Sequence, residues 1–264
     1  MRASLIQIAV NEDEAVEARR LRAAALVREQ AGADLVVLPE LWTTGAFAFE
    51  EFDAAAEPLR GPTYEAMAKA ASDAGVWLHA GSVPERAEDG RLYNTSLVLS
   101  PSGELAASYR KIHRFGFDRG EAVLMGAGRE PVTVALADTT VGVATCYDLR
   151  FPELFRSLVD AGAELLVVPA GWPERRRSHW TLLAQARAVE NQAFVLACGT
   201  AGTHAGVPQA GHSIVVDPWG EVLAQAGADE EVLTVEFDPA KVARTREQFP
   251  ALKDRVLGLE PPRR

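Results

Sequence analysis

The chain has 264 residues, 48% of them apolar, and a formal net charge of −10, which is enough to bury a sizeable core in one α/β domain. The acidic balance opposes binding to nucleic acid or to an anionic membrane, and no apolar run reaches the roughly 18 residues of a membrane span. Two cysteines, Cys146 and Cys198, rule out a disulfide framework or a thiolate cluster, and five scattered histidines form no i, i+4 helical pair, so neither a metal nor another cofactor is expected.

The opening MRASLIQIAV enters a strand pattern, Leu5 to Val10, without the charged region, apolar stretch and cleavage site of a secretory signal, which predicts a cytoplasmic protein. An amphipathic helix from about Asp13 to Ala31 leads into the apolar run ADLVVLPE, a β-α-β beginning in which Pro39 stops the ladder just before Glu40. A second helix starts at Pro62 and ends at Gly75. The runs VWLHAGSVPE, NTSLVLS, ELAASYRKIH, VTVALA and TTVGVATC then follow with only turns between them, so antiparallel pairing is expected.

The second half returns to alternation: a helix near Glu153 to Ala161, the strand ELLVVPA, a helix from Ser178 to Asn191 and the strand AFVLACGT. The glycine-rich segment 199–211 lacks a GxGxxG spacing and reads as a mobile loop near the pocket, with no nucleotide implied. A hairpin, SIVVDPWGEVLAQ, turns at Asp217 to Gly220; the strand EVLTVEF comes next. Residues 239–264 read as a charged C-terminal extension of a single domain spanning 1–264, and no internal repeat is visible. The buried runs LVVLP and LLVVP need both faces covered, which predicts mixed sheets with helices outside.

Three chemistry-bearing residues fall at strand ends. Cys146 closes TTVGVATC, where a thiol is either presented as a nucleophile or packed as a small hydrophobe. Glu40 closes LVVLPE, as a catalytic carboxylate or as a cap. Lys111 continues the alternation Leu105, Ala107, Tyr109, and so falls on an apolar face, where a lysine is unusual.

Taken with their flanks, these residues become recognisable. PE at 39–40, RKIH at 110–113, CYDLRFPE at 146–153, RAVENQ at 187–192 and GHSIVVDPWGEVLA at 211–224 together resemble the nitrilase, or carbon-nitrogen hydrolase, superfamily, over nearly the whole chain. The resemblance implies a four-layer α-β-β-α sandwich of two mixed sheets, a homodimer, and a Glu40, Lys111, Cys146 catalytic triad. It also implies that Glu121 is a second glutamate near the lysine, and that the Tyr147 backbone N–H helps bind the oxyanion.

Amide hydrolysis needs a strong nucleophile, and a lysine cation beside Cys146 is expected to lower the thiol pKa. Lys111 and the Tyr147 N–H would stabilise the oxyanion, and Glu40 would serve as acid and then as base around a thioester. The pattern CYDLR, rather than the CWE usual in nitrilases proper, disfavours a nitrile, and with HW at 179–180 it looks most like ω-amidases, which hydrolyse the terminal amide of 2-oxoglutaramate and 2-oxosuccinamate. Arg150 then pairs with the substrate carboxylate, or else with Asp148 or Glu153. Trp172 walls the pocket or packs in the core. The segment AGWPERRRSHW departs from the animal ω-amidase pattern, and its arginines Arg175, Arg176 and Arg177 either attract an acidic substrate or form a solvated face. The alternatives are an amidase of deaminated glutathione or of an N-carbamoyl amino acid, a true nitrilase, and a non-catalytic scaffold.

Overall fold

The computed structural model describes residues 1–257. The first half runs β1 (Arg2–Gln7), α1 (Val16–Arg28), β2 (Leu35–Val37), the single-turn α2 (Phe52–Ala55), α3 (Pro62–Ala74), β3 (Trp77–Arg86), β4 (Leu92–Leu99) and β5 (Leu105–Arg110). Next come α4 (Glu121–Leu124), β6 (Val132–Ala135), β7 (Thr140–Val143), α5 (Pro152–Asp160), β8 (Leu165–Ala170), α6 (Arg177–Asn191) and β9 (Phe194–Gly199). The chain continues through β10 (Thr203–His204), β11 (Val207–Pro208), β12 (Ile214–Val216), β13 (Val222–Gln225), β14 (Glu231–Glu236) and α7 (Lys241–Gln248).

Two six-stranded sheets result, in the orders β14-β1-β2-β3-β4-β5 and β13-β12-β9-β8-β7-β6. Each has a parallel trio, β1-β2-β3 or β7-β8-β9, flanked by antiparallel strands on both sides. The two sheets therefore repeat one strand pattern, the first completed by β14 from near the end of the chain, and this leaves no visible repeat in the sequence.

Period-two alternation in the central strands creates the layers. In β2 and just beyond it, Val36 and Leu38 pack with Ala23, Val27 and Met67 of α1 and α3, while Leu35 and Val37 face Val167 and Leu196 of the other sheet. In β8, Leu166 and Val168 pack on Phe155, Leu158 and Ala184 of α5 and α6, while Leu165 and Val167 face inward. The architecture is thus an α-β-β-α sandwich. Pro62 opens α3 at a position where its missing N–H costs nothing, and Gly75 closes it in the left-handed conformation at φ 67°.

Some sequence expectations shift. β1 stops at Gln7 rather than Val10, and the Gln7 side chain donates to the Gly227 and Asp229 carbonyls, reaching out of the ladder. A register shift between Val98 and Leu99 puts Leu105 on the helix side, whereas Ala107 and Tyr109 face the intersheet core, so the four-residue alternation holds only from Ala107 onward. The segment 199–211 carries the β10-β11 ribbon, with His204 buried against the Phe47 ring. From the C-terminal segment, α7 lends Val242 to the intersheet core; residues 258–264 of the expected extension lie outside the described residues.

Candidate active site

The site forms where the C-terminal ends of β2, β7 and β8 meet, the edge at which side chains leave a parallel sheet. Glu40 arrives there because Pro39 ends β2 and the chain curls through Leu41 at φ 45°. That turn seats in a bulge of β3: Leu41 N–H donates to Ser82 Oγ at 3.1 Å and Trp42 Nε1–H to the Ala80 carbonyl at 2.9 Å. Gly81, at φ 67°, makes the seat possible, since a Cβ there would lie 1.9 Å from the Pro39 oxygen.

Cys146 is the first residue of a short 3-10 turn after β7 and holds a positive φ of 47°. Such backbone strain costs about 1–3 kcal/mol and persists only where neighbours enforce it. Here the enforcement is a capping box: Thr145 N–H donates to Asp148 Oδ2 at 2.9 Å and the Asp148 N–H returns toward Thr145. Behind the turn, the Arg187 guanidinium donates to the Leu149 carbonyl at 2.8 and 3.1 Å.

Lys111 follows the last residue of β5, and its N–H still pairs with the Asn94 carbonyl of β4 at 2.9 Å. Its ammonium reaches Glu40 Oε1 at 2.6 Å and Glu121 Oε2 at 2.7 Å, with all three side chains buried. Asn94 bridges the same two carboxylates, donating to Glu40 at 2.8 Å and to Glu121 at 2.5 Å. Gly171 N–H, just beyond β8, holds the other Glu40 oxygen at 2.9 Å, and Phe115 N–H holds Glu121 at 2.9 Å. Two residues beyond Asn94 on the same face of β4, the Ser96 hydroxyl meets that of Thr145 at 3.0 Å.

Electrostatics in this cluster differ from the sequence expectation. Burial pushes the Cys146 thiol well above its ordinary pKa, the Glu40 carboxylate pushes the same way, and the Lys111 cation opposes both without prevailing. Burial also acts against the Lys111 charge, yet Glu121 and Glu40 outweigh it and hold the ammonium well above the usual lysine range. Glu121 is raised, by burial first, against the pull of Lys111.

A narrow pocket opens onto this cluster, lined by Glu40, Lys111, Glu121 and Cys146 at its base and by Phe115, Tyr147, Arg150, Trp172 and Arg176 above. Arg150 pairs with neither Asp148 nor Glu153; it lies 4.9 Å over the Trp172 ring and meets His179 Nδ1 at 3.2 Å. Trp172 both walls the pocket and packs inward on Trp180, with its indole N–H donating to the Arg176 carbonyl at 2.8 Å. The Tyr147 ring packs edge-on against Phe115 and Phe151. Cys198 is far from this chemistry, enclosed between the sheets with its thiol toward the Ile6 and Val37 carbonyls.

Reasoning from sequence missed Asn94, Ser96 and His113, and it read Asp148 only as an alternative partner of Arg150. The available signal was a polar Asn and Ser at alternate positions of an otherwise apolar strand. No group of three or more His, Cys, Asp or Glu side chains able to hold a metal occurs among the described residues.

This fold, with a buried cysteine, lysine and glutamate at one pocket, defines a class of hydrolase acting on carbon-nitrogen bonds. The chain belongs to the carbon-nitrogen hydrolase family, whose model matches residues 2–247. It is 42% identical to a 2-oxoglutaramate amidase of Paenarthrobacter nicotinovorans, over 95% of this chain and 87% of that one. It is 37% identical to omega-amidase NIT2 of Mus musculus, over 98% and 96%. Among solved structures, a CN-hydrolase superfamily protein from Xanthomonas campestris with an arsenic adduct in its active site superposes with a TM-score of 0.90 at 33% identity, over 99% of both chains.

Proposed function

We propose that this protein is an amidase that hydrolyses the terminal carboxamide of a small 2-oxo acid, 2-oxoglutaramate or 2-oxosuccinamate, to the carboxylate and ammonia. The observation that carries the reading is a buried Glu40, Lys111, Cys146 cluster beneath a pocket whose rim holds an arginine without a carboxylate partner. The names of the relatives supply the acyl group.

In the proposed reaction, Glu40 takes the thiol proton as Cys146 Sγ attacks the amide carbon. Burial and this carboxylate both disfavour a free thiolate, which favours proton transfer coupled to the attack. Negative charge develops on the carbonyl oxygen and is met by the Lys111 ammonium and the Tyr147 N–H; one such donor typically contributes about 3–4 kcal/mol. Collapse of the tetrahedral adduct breaks the C–N bond, and protonated Glu40 returns its proton to the departing nitrogen, which leaves as ammonia. Glu40 then deprotonates a water molecule that attacks the thioester, and the thiol is regenerated. Glu121 and Asn94 hold Lys111 and Glu40 in place, so the lysine stays charged between two carboxylates. Arg150 binds the substrate carboxylate.

The chain is proposed to work as one catalytic domain, to pair as a homodimer and to reside in the cytoplasm. No described helix is long and apolar enough to cross a membrane. For the dimer, the supporting feature is an apolar surface around Val189, Trp219 and Phe249, all exposed. The substrate reading is tested by ammonia release from 2-oxoglutaramate, 2-oxosuccinamate, an N-carbamoyl amino acid and a simple nitrile, and by release of cysteinylglycine from deaminated glutathione. Turnover of the two oxo-amides that Cys146→Ala abolishes is expected; turnover confined to the other three would contradict the acyl assignment.

A further inference from the structure

Two guanidinium groups, not one, line the pocket above Cys146. Arg176 reaches it from the turn that opens α6, whose carbonyl is pinned by the Trp172 indole, and its guanidinium lies 5.4 Å over the Phe115 ring. It has no ion-pair partner among the described residues, and Arg150 has only the His179 imidazole. Elsewhere in this acidic chain carboxylates hold other arginines, Arg110 by Glu85 at 2.6 Å and Arg187 by Glu190 at 2.7 Å, whereas neither pocket arginine has one. The neighbours Arg175 and Arg177 are exposed and do not line the pocket; Arg177 instead meets His212 at 3.2 Å.

We infer that Arg176 is a specificity-determining residue: with Arg150 it forms a two-cation rim that accepts an acidic amide and rejects one carrying an ammonium group beside its carboxylate. The inference rests on the amidase reading above. 2-Oxoglutaramate and L-glutamine share a carboxylate and a terminal amide and differ at C2, where one has a ketone oxygen and the other an ammonium. A single arginine would be neutralised by the carboxylate and leave the C2 group unread. Two arginines leave one positive charge after the carboxylate binds, which repels an ammonium and offers N–H donors to a ketone oxygen. Discrimination thus comes from a repulsive element as well as an attractive one.

The test is calorimetric titration of Cys146→Ala protein with 2-oxoglutaramate and with L-glutamine, alone and combined with Arg176→Ala, Arg176→Lys, Arg175→Ala or Arg177→Ala. The parent is expected to prefer the oxo-amide, and Arg176→Ala to cut that preference about tenfold or more. Arg176→Lys is expected to retain most of it, and the two exposed-arginine variants all of it. An unchanged ratio in Arg176→Ala, an equal change in Arg175→Ala or Arg177→Ala, or no binding of either ligand to the parent would overturn the assignment. Because the ratio is read without turnover, failure of the substrate reading shows separately, as absent ammonia release from 2-oxoglutaramate by the unmodified enzyme.

Discussion

Tyr109 and Asp148 join the two halves of the site: the Tyr109 hydroxyl, on the first sheet, donates to Asp148 Oδ2, after β7 of the second, at 2.7 Å. The same carboxylate accepts Thr145 N–H at 2.9 Å, His113 N–H at 3.0 Å and the His113 ring at 2.7 Å. Lys111 is thus bracketed by Tyr109 and His113, and Cys146 by Thr145 and Asp148, so a single buried side chain fixes the lysine and the thiol relative to each other.

Asp148→Asn should therefore damage both catalysis and stability. The amide can accept at only one of its two ends, leaving buried donors unpaired at about 1–3 kcal/mol each. We expect kcat to fall roughly 100-fold or more and the urea midpoint to drop, as misplacement of reacting groups predicts. Tyr109→Phe removes one of these bonds and should cost about 1 kcal/mol with a smaller rate effect. Wild-type kinetics in Asp148→Asn would show that the carboxylate does not position the nucleophile.

Lys111→Met isolates the electrostatic role of the lysine. Without the cation, Glu40 and Glu121 face each other in the interior, and breaking such a buried pair costs about 3–5 kcal/mol at neutral pH. Burial already raises Glu121 above its ordinary pKa, with Lys111 opposing, so the variant raises it further. A carboxyl whose pKa is higher folded than unfolded holds its proton more tightly in the native state, and stability rises as pH falls through the folded value. Denaturation from pH 8 to pH 5 should accordingly show the deficit shrinking; a deficit that stays constant or grows would contradict the pairing.

Alkylation reports the protonation state of the nucleophile. With burial and Glu40 holding the Cys146 thiol high, its reaction with iodoacetamide should be slower at pH 7 than that of a free cysteine and should climb without a plateau up to about pH 9. Cys198 is raised as well, by burial, and should remain unmodified in the folded protein. A plateau near pH 6 or 7 would mean that Lys111 wins and the resting group is a thiolate.

Pairing of two chains would bury the apolar surface around Val189, Trp219 and Phe249. Trp219→Asp should then shift sedimentation from dimer toward monomer while the monomer stays folded by circular dichroism. A wild-type chain that sediments as a monomer at micromolar concentration would remove the proposal.

Much of this arrangement is legible in the residues. Glu40, Lys111 and Cys146 stand out because each interrupts an apolar strand pattern at its end, and Gly75 and Pro62 mark helix boundaries by their own backbone chemistry. What escapes depends on contacts distant in sequence. Asn94 sits mid-strand, and nothing local says that it spans two carboxylates 54 and 27 residues away. Glu121 opens a helix of four residues, too short to show a period, so only the family resemblance points to it. The Lys111 cation lowers the thiol pKa as pairing by charge expects, but burial and Glu40, which residue types alone do not show, push it the other way. The repeated strand pattern of the two sheets is hidden because the first is completed by β14, some 230 residues after β1 begins, a pairing that no local pattern shows.

Trapping the acyl-enzyme decides whether Cys146 is the nucleophile. Rapid acid quenching of enzyme mixed with excess 2-oxoglutaramate, followed by peptide mass spectrometry and ammonia determination, should find the acyl group on Cys146, with a first-turnover release of ammonia that matches the active sites. The adduct should be absent in Cys146→Ala. Ammonia release that continues in Cys146→Ala, or an acyl group found on another residue, would contradict the assignment of Cys146 as the nucleophile.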